Sequence, residues 1–434
     1  MQTPLYRLGM AEAARRLETG ALTATQLTRA CLERIEERNG AVQAFVAHDP
    51  ALALHEAAEV DAGRRGGALK GIPFAAKDTI ESADYPTTFG SPIYAGHRAG
   101  RDAGCIARAR EQGAVLLGKV ATSEFATQTP GRARNPLNLG HTPGGSSSGS
   151  AAAVADGMAL AAWGTQTTGS IIRPAVYCGI VGYKPSFGLV STSGVGVLSP
   201  VHDTVGVLAR SVQDAALFTF GVHGAKAMAE VAAQVQPQAG ARALRLGVCL
   251  SSQWDEARPE TRTAIEDCMA RAARAGAQVR QLRLPAPLEA LLPEQPRIVA
   301  YEARHALAHE SRVHPQQLSP RLTERLASAR GMDVHEYLAL QQQVVAARQA
   351  ALALFDEVDV LVYPATEGEP ETGLDHSGSP RFGALWTLLH LPTVAFPVAR
   401  GPLGLPLGLQ VVGRFGHDVA LLHHAAAVQQ WADY

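Results

Sequence analysis

The sequence predicts an α/β fold with a central mixed β-sheet covered by helices on both faces. The length of the chain fits one large domain as well as two or three. Two observations predict this class. Short apolar runs typical of strands alternate with runs of helical periodicity through almost the whole chain of 434 residues, which indicates a sheet with helices packed on it. The chain is also 46% hydrophobic, which is ample to bury the core that such a sheet needs.

The N-terminal third begins with helices and then alternates between strands and helices. A helix is predicted to begin at Thr23, which forms a capping-box pattern with Gln26, and to end at Asn39 and Gly40. The next predicted elements are a strand over 41–47, a helix over 52–62, a strand over 72–76, a helix over 105–112 and a strand over 114–117.

The composition changes at residue 142, where a loop rich in glycine and serine begins. A small-residue helix, a strand ending at residue 164 and a second loop over 165–170 follow. The later predicted elements are a strand, a helix and a strand over 244–249, 259–273 and 279–284, a helical stretch over 299–355, strands over 358–362 and 407–412, and a helix over 419–431. The Ala- and Gln-rich segment 225–241 is the expected seam, and the segment 392–397 is an expected pocket loop.

Charge and cysteine content narrow the function classes. The net charge is −1 and acidic and basic residues are interspersed, so the basic face of a typical nucleic-acid-binding protein is missing. The five cysteines form no CxxC pair, which argues against a disulfide framework or structural zinc. The N-terminus does not resemble a signal peptide, and the most apolar stretch, 151–163, is too short to cross a bilayer. We therefore expect a cytoplasmic protein without nucleic-acid or membrane partners.

Three short motifs suggest other activities, and each lacks a required part. Residues 113–119 nearly match a P-loop, but Val120 stands where Ser or Thr must bind magnesium. Residues 145–149 match G-x-S-x-G with Ser147 at the centre, but a loop and not an apolar strand precedes them. The histidine pairs 305/309 and 423/424 belong to no H-E-x-x-H motif, so we interpret them as surface or core histidines.

The strongest signal is an ordered combination of motifs. Lys77 closes an apolar run, Ser146 follows two glycines, and Ser170 lies 24 positions after Ser146 in a Gly/Thr-rich segment. Together with the segments 69–78, 118–126, 178–190, 359–366 and 404–413, this arrangement resembles the amidase signature family. The resemblance covers most of the chain and is densest over 143–210.

The family resemblance implies one amidase domain over 1–434 with the amidase signature fold. Within this domain, a signature core with the catalytic loops is expected over 65–220. A variable, mostly helical region over 224–357 is expected to relate to the substrate, and a C-terminal part over 358–434 is expected to return to the core sheet.

The resemblance also implies the residues of the active site. Ser170 would be the nucleophile, Ser146 the proton relay behind a cis peptide bond, and Lys77 the terminal base. A lysine must be neutral to accept a proton, so this role requires burial to lower its pKa. Backbone N–H groups would form an oxyanion hole, and no metal or organic cofactor is implied. The residues expected in the oxyanion hole are Thr167, Thr168 and Gly169, and those expected to support the relay are Ser147 and Thr165.

The sequence departs from the commonest family pattern around the nucleophile. Gln166 stands where Asp is usual, Thr168 where Gly is usual and Ile172 where Arg is usual, while Arg173 follows one position later. This variant is similar to the malonamidase-type branch, whose arginine binds a substrate carboxylate. A guanidinium pairs with a carboxylate through two parallel hydrogen bonds, so we hypothesise a small malonamate-like half-amide as substrate. The alternative is that Arg173 belongs to a structural ion pair.

The main hypothesis is an amidase that cleaves a small carboxamide to a carboxylate and ammonia through a Ser170 acyl-enzyme. Its expected partner is only a small amide, with a homodimer left open. The chain could instead be the glutamine-hydrolysing A-type subunit of a tRNA-dependent amidotransferase, although the residues at 166 and 172 argue against this. Two further alternatives are a non-catalytic binding protein on an amidase fold and an elbow-type esterase that depends on Ser147.

Overall fold

The β-sheet is the frame of the molecule. In the computed structural model, which describes residues 3–235 and 244–434, eleven strands form one continuous sheet. In chain order they are β1 (Phe45–His48), β2 (Pro73–Lys77), β3 (Val115–Val120), β4 (Ala161–Gln166), β5 (Val181–Lys184), β6 (Thr204–Ala209), β7 (Arg245–Leu250), β8 (Gln278–Arg283), β9 (Val360–Pro364), β10 (Thr393–Arg400) and β11 (Pro406–Val412).

The sheet is mixed, as expected. Its strand order is β1-β3-β2-β4-β6-β5-β10-β11-β9-β7-β8. Strands β3, β2 and β4 are parallel in one half and β9, β7 and β8 in the other, and the strands between them pair antiparallel. Because β2 and β4 are parallel neighbours, Lys77 and the last residues of β4 lie side by side at one edge of the sheet.

Helices cover both faces of the sheet. Every residue of β2, β3, β4, β5, β6, β9 and β11 is buried, which requires cover on both sides. These helices confirm the predicted fold class. They are α1 (Met10–Glu18), α2 (Ala24–Val42), α3 (Pro50–Asp61), α4 (Gly104–Glu111), α5 (Ser148–Asp156), α6 (Ile172–Tyr177), α7 (Val212–Gly221), α8 (Ala225–Gln234), α9 (Pro259–Arg274), α10 (Ala286–Glu289), α11 (Glu294–Ala306), α12 (Ala308–Val313), α13 (Pro320–Ser328), α14 (Val334–Leu352), α15 (Leu354–Glu357), α16 (Arg381–Leu388) and α17 (Asp418–Gln429).

The start of α2 agrees with the sequence and its end does not. Thr23 Oγ1 accepts from the Gln26 backbone N–H at 3.1 Å, and Gln26 Oε1 accepts from the Thr23 N–H at 3.0 Å. The helix does not stop at Asn39 but continues to Val42. The reason is that the Asn39 side chain binds the backbone of Phe45 at both its N–H and its carbonyl, so the chain enters β1 only there.

The segment 392–397 lies in strand β10 from Thr393 onward and is not a pocket loop. Strand β10 pairs with β5 on one side and with β11 on the other. Its register with β11 shifts between Pro397 and Ala399, as is typical where a proline interrupts a ladder of hydrogen bonds. The strand was not predicted from the sequence because of this proline, and not because the segment lacks apolar residues.

The region 224–357 contributes to the sheet as well as to the helical cover. Strands β7 and β8 extend one end of the sheet, and α9 to α15 pack beside them. The first part of the expected seam over 225–241 is helix α8. Most of its remaining part falls in residues 236–243, which lie outside the described residues. None of the helices in the described ranges combines the length and hydropathy that a bilayer crossing needs.

Candidate active site

Lys77 lies at the buried end of β2, at the centre of the candidate site. Its side chain is 0% exposed, and Nζ is 2.7 Å from both Ser146 Oγ and Thr165 Oγ1. Burial lowers the pKa of Lys77 to about 7, while the charge of Asp203 raises it and the charge of Arg173 lowers it further. A substantial fraction of this amine is therefore neutral near pH 7.

Ser146 is placed by a tightly packed glycine pair. The peptide bond between Gly145 and Ser146 is cis, and Gly144 has φ +75°. A Cβ on Gly144 would come within 2.9 Å of Pro174 Cα, and one on Gly145 within 2.9 Å of Ser377 Cβ. Side chains larger than hydrogen would therefore displace the loop that holds Ser146 against Lys77.

Ser147 connects this loop to the end of β4 and to Ser170. Its hydroxyl donates to Thr165 O at 3.1 Å and accepts from the Thr165 N–H at 3.3 Å. Its backbone N–H donates to Ser170 O at 3.3 Å. The G-x-S-x-G motif thus places Ser147 in a structural contact, and its hydroxyl has no histidine partner among the described residues.

Ser170 lies at the wall of a cavity. Only 5% of the surface of Ser170 is exposed, and Ser170 lines a small cleft. No hydrogen bond joins the Ser170 hydroxyl to Ser146 among the described residues. The structure therefore brings Lys77, Ser146 and Thr165 into direct contact, and holds Ser170 beside them through its backbone. Hydrogen bonds of this kind are often long before substrate binds.

Each of the three residues expected to form the oxyanion hole is held by a hydrogen bond. Thr167 Oγ1 donates to Asp203 Oδ1 at 2.5 Å. Thr168 O accepts from Thr387 Oγ1 at 3.0 Å, and Gly169 O accepts from the Arg173 N–H at 3.0 Å. These contacts hold in place a segment whose Thr167 and Thr168 line the same cleft as Ser170.

Gln166 explains how the site does without the usual acid at this position. Its Oε1 accepts from the N–H groups of Ile171 and Ile172 at 2.8 and 3.1 Å. Its Nε2 donates to Thr387 Oγ1 at 3.0 Å. The amide oxygen provides the acceptor for the start of α6, and the amide nitrogen adds a link to α16 that a carboxylate could not donate.

Arg173 lies on α6 and is buried, with 4% of its surface exposed. Its Nη2 donates to Gly145 O at 2.5 Å, while Nε and Nη1 are buried without a hydrogen-bond partner among the described residues. Burial lowers the pKa of this guanidinium. A Cβ on Gly169 would come within 3.3 Å of Nη1, so the charge lies next to the segment that precedes Ser170.

The P-loop-like motif has a structural position in the fold. The P-loop-like segment is strand β3, where buried Lys119 donates to Thr87 Oγ1 at 2.7 Å and Asp78 Oδ1 at 3.2 Å. Within residues 3–235 and 244–434, no group of three or more His, Cys, Asp or Glu side chains is arranged to hold a metal ion.

Three residues of the site were not predicted. Asp203 lies in the segment of densest resemblance, just before β6, and an acid at that place was a usable signal. Thr387 on α16 and Arg325 on α13 reach the site from distant helices. Neither has a local motif, because their places depend on how those helices pack.

Comparison with known proteins identifies the family. A family model described as Amidase matches residues 26–422. The A-type subunit of glutamyl-tRNA(Gln) amidotransferase from Roseiflexus castenholzii is 33% identical, covering 100% of this chain and 97% of the relative. The protein of the same name from Anaeromyxobacter dehalogenans is also 33% identical, covering 99% and 98% of the two chains. Neither relative is a malonamidase.

These relatives correct the expectation about partners. Their name describes one subunit of an enzyme that acts on a glutamyl-tRNA. The expectation of a lone small-molecule substrate, with no nucleic acid and at most a homodimer, is therefore wrong. Its weakness is physical, because a net charge near zero argues only against a strongly basic surface and leaves other modes of nucleic-acid contact open.

Solved structures agree with the family model. A crystal structure described as an amidase superimposes with a TM-score of 0.87 at 31% identity, covering 98% of this chain and 100% of the other. Native peptide amidase from Stenotrophomonas maltophilia superimposes with a TM-score of 0.83 at 31% identity, covering 99% and 98%. With these matches over nearly its full length, the chain belongs to the amidase signature family of enzymes that hydrolyse amide C–N bonds.

Proposed function

We propose that this chain hydrolyses a carboxamide to a carboxylate and ammonia through an acyl-enzyme on Ser170. The observation that carries the proposal is the buried Nζ of Lys77, 2.7 Å from Ser146 Oγ. Burial lowers the pKa of Lys77 to about 7. An amine that is partly neutral at pH 7 can take a proton from a hydroxyl, which is what a serine needs to become a nucleophile.

The proposed reaction is a two-step acyl transfer. Ser170 Oγ attacks the amide carbon, and its proton passes through Ser146 to Lys77. The oxyanion forms beside the backbone N–H groups of the segment over 167–170. The C–N bond then breaks, and the proton held by Lys77 leaves with ammonia. In the second step water attacks the ester carbon, and its proton passes through Ser146 to Lys77. The bond between the acyl carbon and Ser170 Oγ then breaks, the proton returns from Lys77 through Ser146 to Ser170 Oγ, and the carboxylic acid leaves and ionises to the carboxylate.

Ammonia release from a panel of primary carboxamides tests the proposal. We expect release by the wild type and a loss of about 10³-fold or more in kcat for Ser170→Ala and for Lys77→Met. Ser150→Ala is the matched control, because the Ser150 hydroxyl donates to Trp163 O within the core and does not line the cavity.

Two results would favour the alternatives. Activity that survives Ser170→Ala but is lost in Ser147→Ala would indicate an elbow-type esterase. A wild-type protein that releases no ammonia and does not react with a serine-directed fluorophosphonate would indicate a non-catalytic binding protein.

Glutamine is the first candidate for the physiological amide. Its support is the 33% identity, over nearly the full length, with the A-type subunits of two glutamyl-tRNA(Gln) amidotransferases. In that role the chain would release ammonia for a partner subunit that acts on glutamyl-tRNA. We expect glutaminase activity to rise at least about tenfold when the partner subunits and glutamyl-tRNA are added. Glutamine hydrolysis that does not respond to them would count against this role.

A small half-amide of a dicarboxylic acid, of the malonamate kind, is the second candidate. Its support is Arg173, whose Nε and Nη1 are buried beside the cavity without partners among the described residues, in the arrangement that resembles the malonamidase-type branch. Arg173→Gln should then weaken hydrolysis of half-amides more than that of neutral amides. An equal loss for both kinds of substrate would mean that Arg173 acts by holding Gly145 O.

A further inference from the structure

Asp203 is an acid next to the candidate site to which the proposed reaction gives no role. It lies one residue before β6, which pairs antiparallel with β4 as far as Gln166 opposite Thr204. Asp203 and Thr167 are the next residues beyond this pair, and Thr167 Oγ1 donates to Asp203 Oδ1 at 2.5 Å. The pairing of two central strands therefore sets this carboxylate against the segment that leads to Ser170.

Three hydrogen-bond donors fix the carboxylate of Asp203. The Thr167 hydroxyl donates to Oδ1, and the backbone N–H groups of Leu198 and Ser199 donate to Oδ2 at 2.8 and 2.9 Å. Donors on both oxygens stabilise the charged form of a carboxyl group. No arginine or lysine of the described chain lies within ion-pair distance of it. Asp203 is therefore a fixed negative charge without a directly paired cation among the described residues.

Lys77 is the group of the site that requires a negative charge nearby. In the proposed reaction its Nζ takes up a proton, although its side chain is fully buried and its two hydrogen-bond partners are neutral hydroxyls. A buried ammonium group without a counter-charge is unfavourable. Burial lowers the pKa of Lys77, and the charge of Asp203 raises it. The carboxylate thus stabilises the protonated amine from beyond hydrogen-bond distance.

The other charged and titratable groups around this pair come from α6, from the segment before β6 and from α11. Arg173 on α6 lowers the pKa of Lys77. Burial raises the pKa of Asp203, while its hydrogen bonds and the charge of His202 lower it. Glu302 on α11 lies 3.2 Å from His202 Nδ1, so it is placed behind the histidine. Among these groups, Asp203 is the acid whose charge acts on Lys77.

We infer that Asp203 is a positioning residue of the active site, which holds the segment before Ser170 through Thr167 and serves as the counter-charge of Lys77 when this amine carries the proton. The inference rests on the proposed function, because it concerns the base of that reaction. Asp203 is not among the described residues that line the cleft, so it acts through Thr167 and Lys77 and not on the substrate.

Asp203→Asn tests the inference, because it removes the charge and can keep the hydrogen bonds. The new amide oxygen can accept from the two backbone N–H groups, and the amide nitrogen can donate to Thr167 Oγ1. Without the acid, Lys77 loses its proton at lower pH and is a weaker base. We therefore expect the midpoint of kcat/KM against pH, for the neutral primary amide butyramide, to move at least about 0.5 unit lower and the plateau to fall about tenfold or more.

Asp214→Asn is the matched control. Asp214 is also a buried acid that accepts from a backbone N–H group, that of Met10 at 2.7 Å, and burial raises its pKa as well. It lies on α7, beyond the opposite end of β6. We expect this variant to keep the midpoint and the plateau of the wild type. Thr167→Val keeps the acid but loses the hydroxyl, so it should lower the plateau and leave the midpoint within about 0.3 unit.

Each result decides one part of the inference. An unchanged midpoint in Asp203→Asn, or an equal shift in Asp214→Asn, overturns the role as counter-charge. A wild-type plateau in Thr167→Val overturns the role in holding the segment. Circular dichroism shows whether each variant is folded. Asp203→Ser, which also lacks the charge and is smaller, is measured in parallel and should show the same shift if Asp203→Asn does not fold.

A titration of Lys77 that needs no substrate separates the inference from the proposed function. With ¹³C at Cε of lysine, the resonance that is missing in Lys77→Met is that of Lys77. We expect its midpoint to be at least about 0.5 pH unit lower in Asp203→Asn than in the wild type, and unchanged in Ser170→Ala. The spectrum is simple because the chain has five lysines, which are Lys70, Lys77, Lys119, Lys184 and Lys226.

The two measurements fail in different ways. If no amide is hydrolysed but the Lys77 resonance shifts as expected, the proposed function fails and the action of Asp203 on Lys77 stands. If butyramide is hydrolysed but neither the resonance nor the rate profile shifts in Asp203→Asn, the inference fails and the proposed function stands.

Discussion

The hydrogen bonds of Lys77 go to two hydroxyl groups and, among the described residues, to no carboxylate. Ser146 and Thr165 lie at 2.7 Å, and a hydroxyl can accept from an ammonium group or donate to a neutral amine. A carboxylate in either place would stabilise the charged form and raise the pKa. At the scale of single residues, the site thus combines burial with partners that tolerate both protonation states of the lysine.

This arrangement predicts how activity depends on pH. Because burial lowers the pKa of Lys77 to about 7, its neutral fraction increases about tenfold per pH unit below 7 and levels off above. We expect kcat/KM for butyramide to follow the same curve. Arg173→Gln removes a charge that lowers this pKa, so its curve should move to higher pH. A rate that is flat from about pH 5 to about pH 9 would contradict a role for Lys77 as base.

A second prediction at this scale concerns Gln166. Gln166→Met leaves the N–H groups of Ile171 and Ile172 without acceptors, and we expect it to lower the free energy of unfolding by about 1–3 kcal/mol. The kcat should also fall, because the segment before Ser170 loses a support. Gln166→Glu keeps the acceptor oxygens and should lose less. Urea unfolding and butyramide kinetics check this, and a Met variant as stable as the wild type would refute it.

The residues of the site differ in how well the sequence predicts them. Lys77, Ser146 and Ser170 stand in dense, ordered motifs, so the resemblance to the family is enough to single them out as candidates. In the same motifs Gln166 is noticeable only because it replaces the usual Asp. Its two backbone contacts and its hydrogen bond to Thr387 arise from packing, so the motifs do not predict them. Arg325 has no motif, so only the placement of α13 reveals it.

At the scale of elements, the helical region is tied to the site by a buried polar cluster. Glu302 on α11 accepts from Tyr337 on α14 at 2.8 Å and lies 3.2 Å from His202 Nδ1, and it also accepts from the Ser199 hydroxyl. The segment with Ser199 and His202 leads directly to Asp203, which holds Thr167. This contact joins helices of the region over 224–357 to the segment beside Ser170.

This cluster predicts a loss of stability and a change in how stability depends on pH. Glu302→Ala would remove the acceptor of the Ser199 and Tyr337 hydroxyls and leave Ser199 and His202 with only their contact to each other, which should lower the free energy of unfolding by about 1–3 kcal/mol. Burial raises the pKa of Glu302, but hydrogen bonds from His202 and its neighbours lower it overall from 4.5. Its contribution to stability is therefore present above pH 4.5 and is lost as pH falls further.

Urea unfolding at about pH 7 and at about pH 4 measures both effects. The wild type should lose more stability than Glu302→Ala between the two values, since the variant lacks the titrating group. Glu302→Gln keeps an acceptor oxygen and should lie between them at neutral pH. Identical unfolding curves for wild type and Glu302→Ala at neutral pH would show that the cluster does not stabilise the helical region.

Element boundaries show the limit of local sequence patterns. The capping box of α2 is formed by neighbours in the chain and was predicted correctly. The end of the same helix depends on the contact between Asn39 and Phe45, and β10 depends on pairing with β5 and β11. Both are decided by partners that a short window of sequence does not contain.

At the scale of the whole molecule, one sheet connects the N-terminal, middle and C-terminal parts of the chain. Alternating strands and helices predicted this class, but not the order in which β5 lies between β6 and β10. That order depends on which strands pair across long stretches of chain, and periodicity carries no information about it. The same order brings the ends of β2 and β4 together with α16, which completes the site from the C-terminal part.

The central strand β6 therefore predicts a change that affects the entire molecule. A Cβ on Gly206 would lie 2.3 Å from Tyr183 O and 2.7 Å from Ile171 Cδ1. Gly206→Ala should lower the free energy of unfolding by about 1–3 kcal/mol or more, because the backbone of β5 would have to move. Gly40→Ala is the control, since Gly40 lies inside α2 with nothing within 4 Å of its Cβ position, and it should stabilise the chain by about 0.5–1 kcal/mol. Urea unfolding followed by far-UV circular dichroism measures both, and a Gly206→Ala protein as stable as Gly40→Ala would contradict the packing of the sheet centre described above.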